Sequence, residues 1–543
     1  MTETPIDVLI LGAGINGAGL FRDLCEQGLT CVIADKGDYG SGTSAAPSRL
    51  IHGGIKYLET GEFRLVAQST LERNLLLRNA PHCVHPLPTV IPIFSWFKGI
   101  GAAVRTLMGS TTAPRARGAV LMKIGLALYD FYGARARVMP RHALWGRARA
   151  LAEIPPLTPR IVAAGRYYDA TVAHPERLVL ELVQDGLRAS SASRAFNHCA
   201  LLGAEGATVR LCAVDGTELA LRPRVVINAA GPWIDAVNAT LGLQTRLIGG
   251  TKGSHILLDH PALLAALKGR MIYFEADDGR ICLVFDYLGR ALVGSTDTRA
   301  DDPDGVRCED GEIDYFLQSL RSLLPGLAFD RSQIVYAYSG IRPLPASDGS
   351  AAGLISRDHS APVIEPSDAR DWPVISLVGG KWTTFRGFAE EVADTVLSRL
   401  GRARRVSTRD LPIGGGRDYP ADPAVWAAEA GGAPGRAATL LARYGTTARA
   451  ILQAEGAAPT SLEDAPDYTL EELGWLSRNE QVQGLEDLVM RRTALAVTGR
   501  LSMRDLDRIA GLLAEVLNWD APRREAELAQ VRARLTGRHH MRL

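Results

Sequence analysis

This chain lacks most of the marks that announce a metal centre, a disulfide framework, a membrane span or a nucleic-acid partner. Its seven cysteines, at 25, 31, 83, 199, 212, 282 and 308, are odd in number and never stand as C-x-x-C. That argues against a structural zinc site or stapled scaffold, suits a reducing compartment, and leaves no metal expected. Lys and Arg number 61 against 60 Asp and Glu, so no net field draws the chain to nucleic acid. The longest apolar run outside the first strand, 87–97, is 11 residues and contains Pro88 and Pro92, too short and too broken to span a bilayer. The N-terminus carries Glu3 and Asp7 and no basic segment with a small-residue cleavage site, so a cytoplasmic location is expected. What remains is 543 residues, 46% hydrophobic and 22% charged, enough for two or three domains with their own cores.

The strongest local pattern lies near the start. Val8-Leu9-Ile10-Leu11 is an apolar run of strand length, Gly12-Ala13-Gly14-Ile15-Asn16-Gly17 a turn, and Ala18 onward a helix-permissive stretch with Leu20, Phe21 and Leu24 on one face. Gly12 suits the tight turn, Gly14 the approach of backbone to a pyrophosphate, and Gly17 close packing of helix on strand, with helix N–H groups offered to phosphates. A second strand at 30–34 ends on Asp35, 23 residues after Gly12, where a dinucleotide site needs a carboxylate for a ribose diol. Thr43, Ser44 and Ser48 stand in the small and hydroxyl run that follows, a composition able to lie along a cofactor.

The continuation Ser48-Arg49-Leu50-Ile51-His52-Gly53-Gly54-Ile55-Lys56-Tyr57-Leu58-Glu59 resembles a segment of the FAD-dependent, quinone-linked glycerol-3-phosphate dehydrogenases. Further similar motifs follow in order: Asn228-Ala229-Ala230-Gly231-Pro232-Trp233, Lys252-Gly253-Ser254-His255, Gly294-Ser295-Thr296-Asp297, Tyr338-Ser339-Gly340-Ile341-Arg342-Pro343-Leu344, Ser356-Arg357-Asp358, and Gly379-Gly380-Lys381-Trp382-Thr383-Thr384-Phe385-Arg386. The resemblance implies an α/β fold, with a Rossmann-like FAD-binding domain of the glutathione-reductase/D-amino-acid-oxidase type over 1–400. Substrate segments of a mixed sheet, at about 80–150 and 245–345, interleave with it. A C-terminal α-helical domain follows over 410–543, after the boundary loop Leu411-Pro412-Ile413-Gly414-Gly415-Gly416. Leu470, Leu473 and Leu476, then Met490, Leu495 and Val497, read as amphipathic helices there.

The implied reaction is oxidation of sn-glycerol 3-phosphate to dihydroxyacetone phosphate with noncovalent FAD, electrons leaving to membrane quinone. Removing a hydride from carbon and a proton from oxygen calls for a flavin, a base and groups that fix the substrate. The resemblance places His52, His255 and Lys381 at the reacting end, with His255 and Lys381 favoured as proton acceptor and His52 also suited to bonding loop backbone. It places Arg342 and Arg357 on the phosphate, where a guanidinium fork grips the dianion, with Lys56 and Tyr57 beside them. Gly231, Gly380 and Thr383 join the cofactor set of Gly12, Gly14, Asn16, Gly17, Asp35, Thr43, Ser44 and Ser48. Lys56 departs from the family's arginine, which keeps a related polyol phosphate such as erythritol phosphate open. An oxygen-using glycerophosphate oxidase and a non-catalytic flavin protein are the other readings.

Residues 73–152 carry twelve Lys or Arg and one acid, Asp130. Apolar and cationic side chains alternate at 91–98 and 104–108, a composition suited to an anionic membrane surface and to peripheral residence on the inner face of the cytoplasmic membrane. A basic homodimer face is the alternative use of the same stretch.

Overall fold

The computed structural model describes residues 3–58, 62–97, 118–134, 138–300, 302–346, 359–432 and 434–543, and for Lys56, Tyr57 and Pro434 the backbone alone. The strand Thr4–Leu11 lies between Cys31–Ala34 and Glu218–Asn228, parallel to both, with Val8 opposite Cys31 on one side and Val225 on the other. The strands Arg194–Phe196 and Val374–Ser376 extend this sheet in parallel on its two sides. Central parallel strands are covered on both faces, which is why they read as unbroken apolar runs. Helices Ile15–Glu26, Pro175–Ala189 and Phe385–Arg399 cover one face through Phe21, Leu24, Val179, Val183, Phe388 and Val392. Val209, Leu211, Leu241 and Trp372 fill the other.

A second, ten-stranded mixed sheet is interleaved with the first in the sequence, drawing on strands from Leu50–Ile51 to Ile334–Pro345. Its long antiparallel pair, Ile248–Leu258 with Ile334–Pro345, sets Thr251 opposite Arg342, Gly253 opposite Gly340 and His255 opposite Tyr338. Among the described residues, no helix is long and apolar enough to cross a membrane.

The chain from Pro423 onward is helical, ending in Met503–Leu517 and Ala521–His539. One stretch departs from the pattern expected of it. Met490, Leu495 and Val497 do not stand on an amphipathic helix. The chain there makes a wide π-type turn over Leu488–Arg492 and then a series of tight turns. Arg491 and Arg492 are consecutive and both buried. From this turn both reach the same carboxylate, Asp38.

The basic stretch also looks different when folded. Arg73 is buried against Asp169 at 2.9 Å, and Arg78 pairs with Asp410 at 2.7 Å. Arg73 is thereby taken off the surface, whereas Arg78 stays exposed with its charge offset by an acid from elsewhere. Lys98, Arg105, Arg115, Arg117, Arg135 and Arg137 lie outside the described residues.

Candidate active site

The two sheets and the C-terminal helices enclose a continuous cleft of about 900 Å³, at the large end for a small-molecule site. It runs from the glycine turn to the antiparallel pair of the second sheet. At the turn, Gly12 has φ +106°, a conformation that favours glycine. A Cβ on Gly17 would stand 2.0 Å from the Gly12 carbonyl oxygen, so the crossing of helix over turn admits only glycine. Asp35 sits at the end of Cys31–Ala34, where Oδ2 accepts the Ala13 N–H at 2.7 Å and Oδ1 the Gly37 N–H at 2.9 Å. Burial raises its pKa, and those two N–H groups oppose the rise.

The hydroxyl run after this strand knits the cleft together. Ser44 Oγ accepts the Ile15 N–H at 2.9 Å, and Thr43 Oγ1 donates to the Ile341 carbonyl at 2.6 Å. Ser48 Oγ and His255 Nε2 share a hydrogen bond of 2.8 Å. The loop before Phe385–Arg399 closes over the helix N-terminus. Asn16 Nδ2 donates to the Gly379 carbonyl, while Asn16 Oδ1 is buried without a hydrogen-bond partner among the described residues. Gly380 has φ +91°, and a Cβ there would meet the Asn16 amide at 2.9 Å. Gly231, with φ +57°, lines the cleft beside them. Thr383 is buried behind this wall, where its Oγ1 accepts the His52 N–H and donates to the His52 carbonyl. Its hydroxyl thus fixes the backbone that carries His52.

His52, His255, Arg342 and Lys381 all line this cleft. The paired glycines of the second sheet make this possible. A Cβ on Gly253 would strike the Arg342 guanidinium at 2.2 Å, and one on Gly340 would meet Ala46 at 2.7 Å. Arg342 is held by Asp297 Oδ1 at 3.1 Å, Ser295 Oγ at 3.2 Å and the Thr296 carbonyl at 3.2 Å. Lys381 Nζ donates to Ser69 Oγ at 3.1 Å. His255 is 1% exposed, stacks on Tyr338 at 4.9 Å between ring centres, and lies so close to Gly294 that a Cβ there would be 2.0 Å from the imidazole. Burial, then Arg342 and Arg49, push its pKa well below the histidine range, so it stays neutral. Lys56 and Tyr57 stand on the short turn Ile55–Leu58, and Arg357 lies outside the described residues.

A glycine cradle at a helix N-terminus, a buried unpartnered amide oxygen and a carboxylate at the next strand end together fit a dinucleotide. A family model described as FAD dependent oxidoreductase matches residues 7–395, and one described as the C-terminal domain of alpha-glycerophosphate oxidase matches 406–524. The glycerol-3-phosphate dehydrogenase of Synechocystis sp. is 32% identical, covering 95% of this chain and 94% of that protein. This chain belongs to the FAD-dependent glycerol-3-phosphate dehydrogenase family. The D-erythritol 1-phosphate dehydrogenase of Brucella abortus is 29% identical over 90% of the chain and 94% of its own length. The structure of a Bacillus halodurans glycerol-3-phosphate dehydrogenase complexed with FAD aligns with a TM-score of 0.75 at 20% identity, covering 99% of this chain and 95% of that one. At that identity the match speaks for the fold.

For a member of this family the Gly17 contact carries a plain prediction. Gly17→Ala must push the turn open against backbone atoms, so the purified variant should be colourless, read as the ratio of flavin to protein absorbance. A yellow, fully loaded Gly17→Ala protein would refute the packing role. Ser69 and the Arg342 partner Asp297 were not singled out from sequence. Asp297 stands inside a quoted motif, whereas Ser69 lies on the helix Phe63–Asn79 with nothing local to mark it.

Proposed function

We propose that this protein oxidises sn-glycerol 3-phosphate to dihydroxyacetone phosphate and passes the electrons to a membrane quinone. The observation that carries this reading is that His52, His255, Arg342 and Lys381 line the same cleft as the glycine turn and Asp35. Bound FAD supplies the hydride acceptor and the relay of electrons. Asn16, Gly12, Gly14, Gly231 and Gly380 would hold it, with Asp35 on the ribose.

The residues divide the remaining work. Arg342, kept in plane by Asp297 and Ser295, grips the phosphate, joined by Arg357 from the matching motif. Lys381 adds a second cation facing the anionic substrate. The proton acceptor is His52. His255 is nearly sealed from solvent, its Nε2 is engaged by Ser48, and burial beside Arg342 weakens its basicity. A weak base is a poor proton acceptor, because proton-transfer efficiency follows basicity. His255 instead orients the substrate oxygen. Lys56 and the erythritol-phosphate relative keep a longer polyol phosphate as the second reading. Comparing kcat/KM for the two substrates decides between them, with glycerol 3-phosphate expected to be preferred at least tenfold.

The quinone assignment draws on the surface. Helix Ala119–Tyr132 turns Val120, Ile124, Leu128 and Phe131 to solvent, and Phe131 is 73% exposed. Ser95 and Trp96 accept backbone N–H groups from its first turn, which sets exposed Phe94, Trp96 and Phe97 beside it. Lys123, Arg141, Arg147 and Arg149 are exposed on the described part of the same stretch. Exposed aromatics among cations match an interface with anionic lipid. The protein should sediment with anionic vesicles at low salt, and Trp96→Asp with Phe97→Asp should abolish this. Binding that survives both substitutions would overturn the membrane reading. Stoichiometric hydrogen peroxide from oxygen would replace the quinone by an oxidase reaction.

A further inference from the structure

Asp38 lies three residues beyond Asp35, on the loop that leaves Cys31–Ala34, and is 1% exposed. Its carboxylate accepts Arg491 Nε–H at 2.8 Å, both Arg492 terminal nitrogens at 2.6 and 2.9 Å, and the Asn197 amide at 2.9 Å. Arg491 also donates to Glu486 and Asp487, and Asp487 pairs with His198 at 3.0 Å. The Tyr39 hydroxyl donates to Gln481, and Gln483 donates to Asn197 at 2.7 Å. Each of these bonds except Arg491 to Glu486 and Asp487 joins segments far apart in the chain. The Asn197 bond ties the loop that carries Asp35 to the strand end at 197–198, and the others tie 481–492 to one or other of those two.

The same segment is also a wall of the cleft. Gln483, Glu486, Asp487 and Arg491 line it, and the last helix, Ala521–His539, presents Gln530 and Arg534 from one face. This is the Asp35 end, the end a nucleotide site reserves for adenosine. Burying two guanidinium groups and their carboxylates costs desolvation, and apolar residues would hold two domains together at least as well. Such a network earns its place by fixing geometry. Gly37 is where that geometry acts. Its N–H donates to Asp35 Oδ1, its carbonyl accepts the His198 N–H at 2.8 Å, and its neighbour Asp38 is the gripped carboxylate.

We propose that the C-terminal domain is part of the cofactor site: it closes the adenosine end of the cleft, and Asp38, gripped by Arg491 and Arg492, is the positioning residue that holds the Asp35 loop against the nucleotide. The inference rests on the FAD assignment above. Full-length protein stripped of flavin is titrated separately with FAD and with riboflavin 5′-phosphate, which lacks the adenosine half, and read by quenching of flavin fluorescence. Asp38→Asn is expected to raise the Kd for FAD at least tenfold while that for riboflavin 5′-phosphate moves less than twofold. Arg534→Ala, at a partly exposed side chain paired with Glu486 at 2.9 Å, should fold regardless and raise the FAD value about threefold with the same selectivity. If both flavins weaken together, the network is a general structural support and the proposal fails. It fails equally if Arg534→Ala leaves FAD binding unchanged. Wild-type protein that binds neither flavin would overturn the cofactor assignment itself, and the clamp with it.

Discussion

His52→Gln should lower kcat by about 10²- to 10⁴-fold, the usual contribution of a positioned general base, while leaving the flavin bound. The glutamine side chain keeps polarity and approximate size but accepts no proton at neutral pH. The backbone bonds between His52 and Thr383 survive the exchange, so the loop stays in place. The pH dependence separates this role from a packing role. In wild type the kcat/KM profile should fall on the acid side as the acceptor becomes protonated. In His52→Gln that limb should vanish. His255→Gln, which removes a histidine held neutral by burial, should keep the limb and lower the rate less. If His255→Gln abolishes the acid limb and His52→Gln retains it, the two roles are reversed.

Arg342→Ala removes charge-assisted bonds to a phosphate, each class of contact worth roughly 1.5–3 kcal/mol, which is about a 10- to 150-fold loss of kcat/KM. The loss should fall mainly on KM, because the phosphate binds alike in ground state and transition state. Arg342→Lys keeps the charge and loses the planar fork, and should recover part of the loss. In Arg342→Ala the guanidinium is withdrawn from Asp297, which is about one-quarter exposed, so water solvates it and the fold tolerates the change. Unaltered kcat/KM in Arg342→Ala would remove the residue from the substrate site.

The parts of this molecule that were legible in the sequence are those whose logic is local. The strand, the turn at Gly12 to Gly17 and the carboxylate at Asp35 follow from spacing within about thirty residues, and they occupy one end of the cleft. The later motifs could be quoted, but their purpose is set by register. Gly253 and Gly340 are 87 positions apart in the chain yet directly opposed in the sheet, and only that pairing shows that their missing side chains make room for Arg342 and for Ala46. Met490 to Val497 misled for the same reason. Its apolar spacing is helical, but two adjacent arginines there both reach Asp38, some 450 residues earlier, a pairing that no local pattern shows. In 73–152, counting charges could not reveal that Arg73 and Arg78 answer Asp169 and Asp410. What the fold adds there is the exposed apolar face of Ala119–Tyr132, whose direction depends on which side packs against Leu65, Ile91 and Tyr167.

The central claim is that one cleft oxidises glycerol 3-phosphate at the expense of a bound flavin. Adding glycerol 3-phosphate to the yellow holoenzyme under anaerobic conditions tests it most directly. The flavin absorbance band should bleach in a single turnover, dihydroxyacetone phosphate should form in equal amount, and a quinone analogue should restore the colour. A band that stays unbleached at saturating glycerol 3-phosphate would contradict the account.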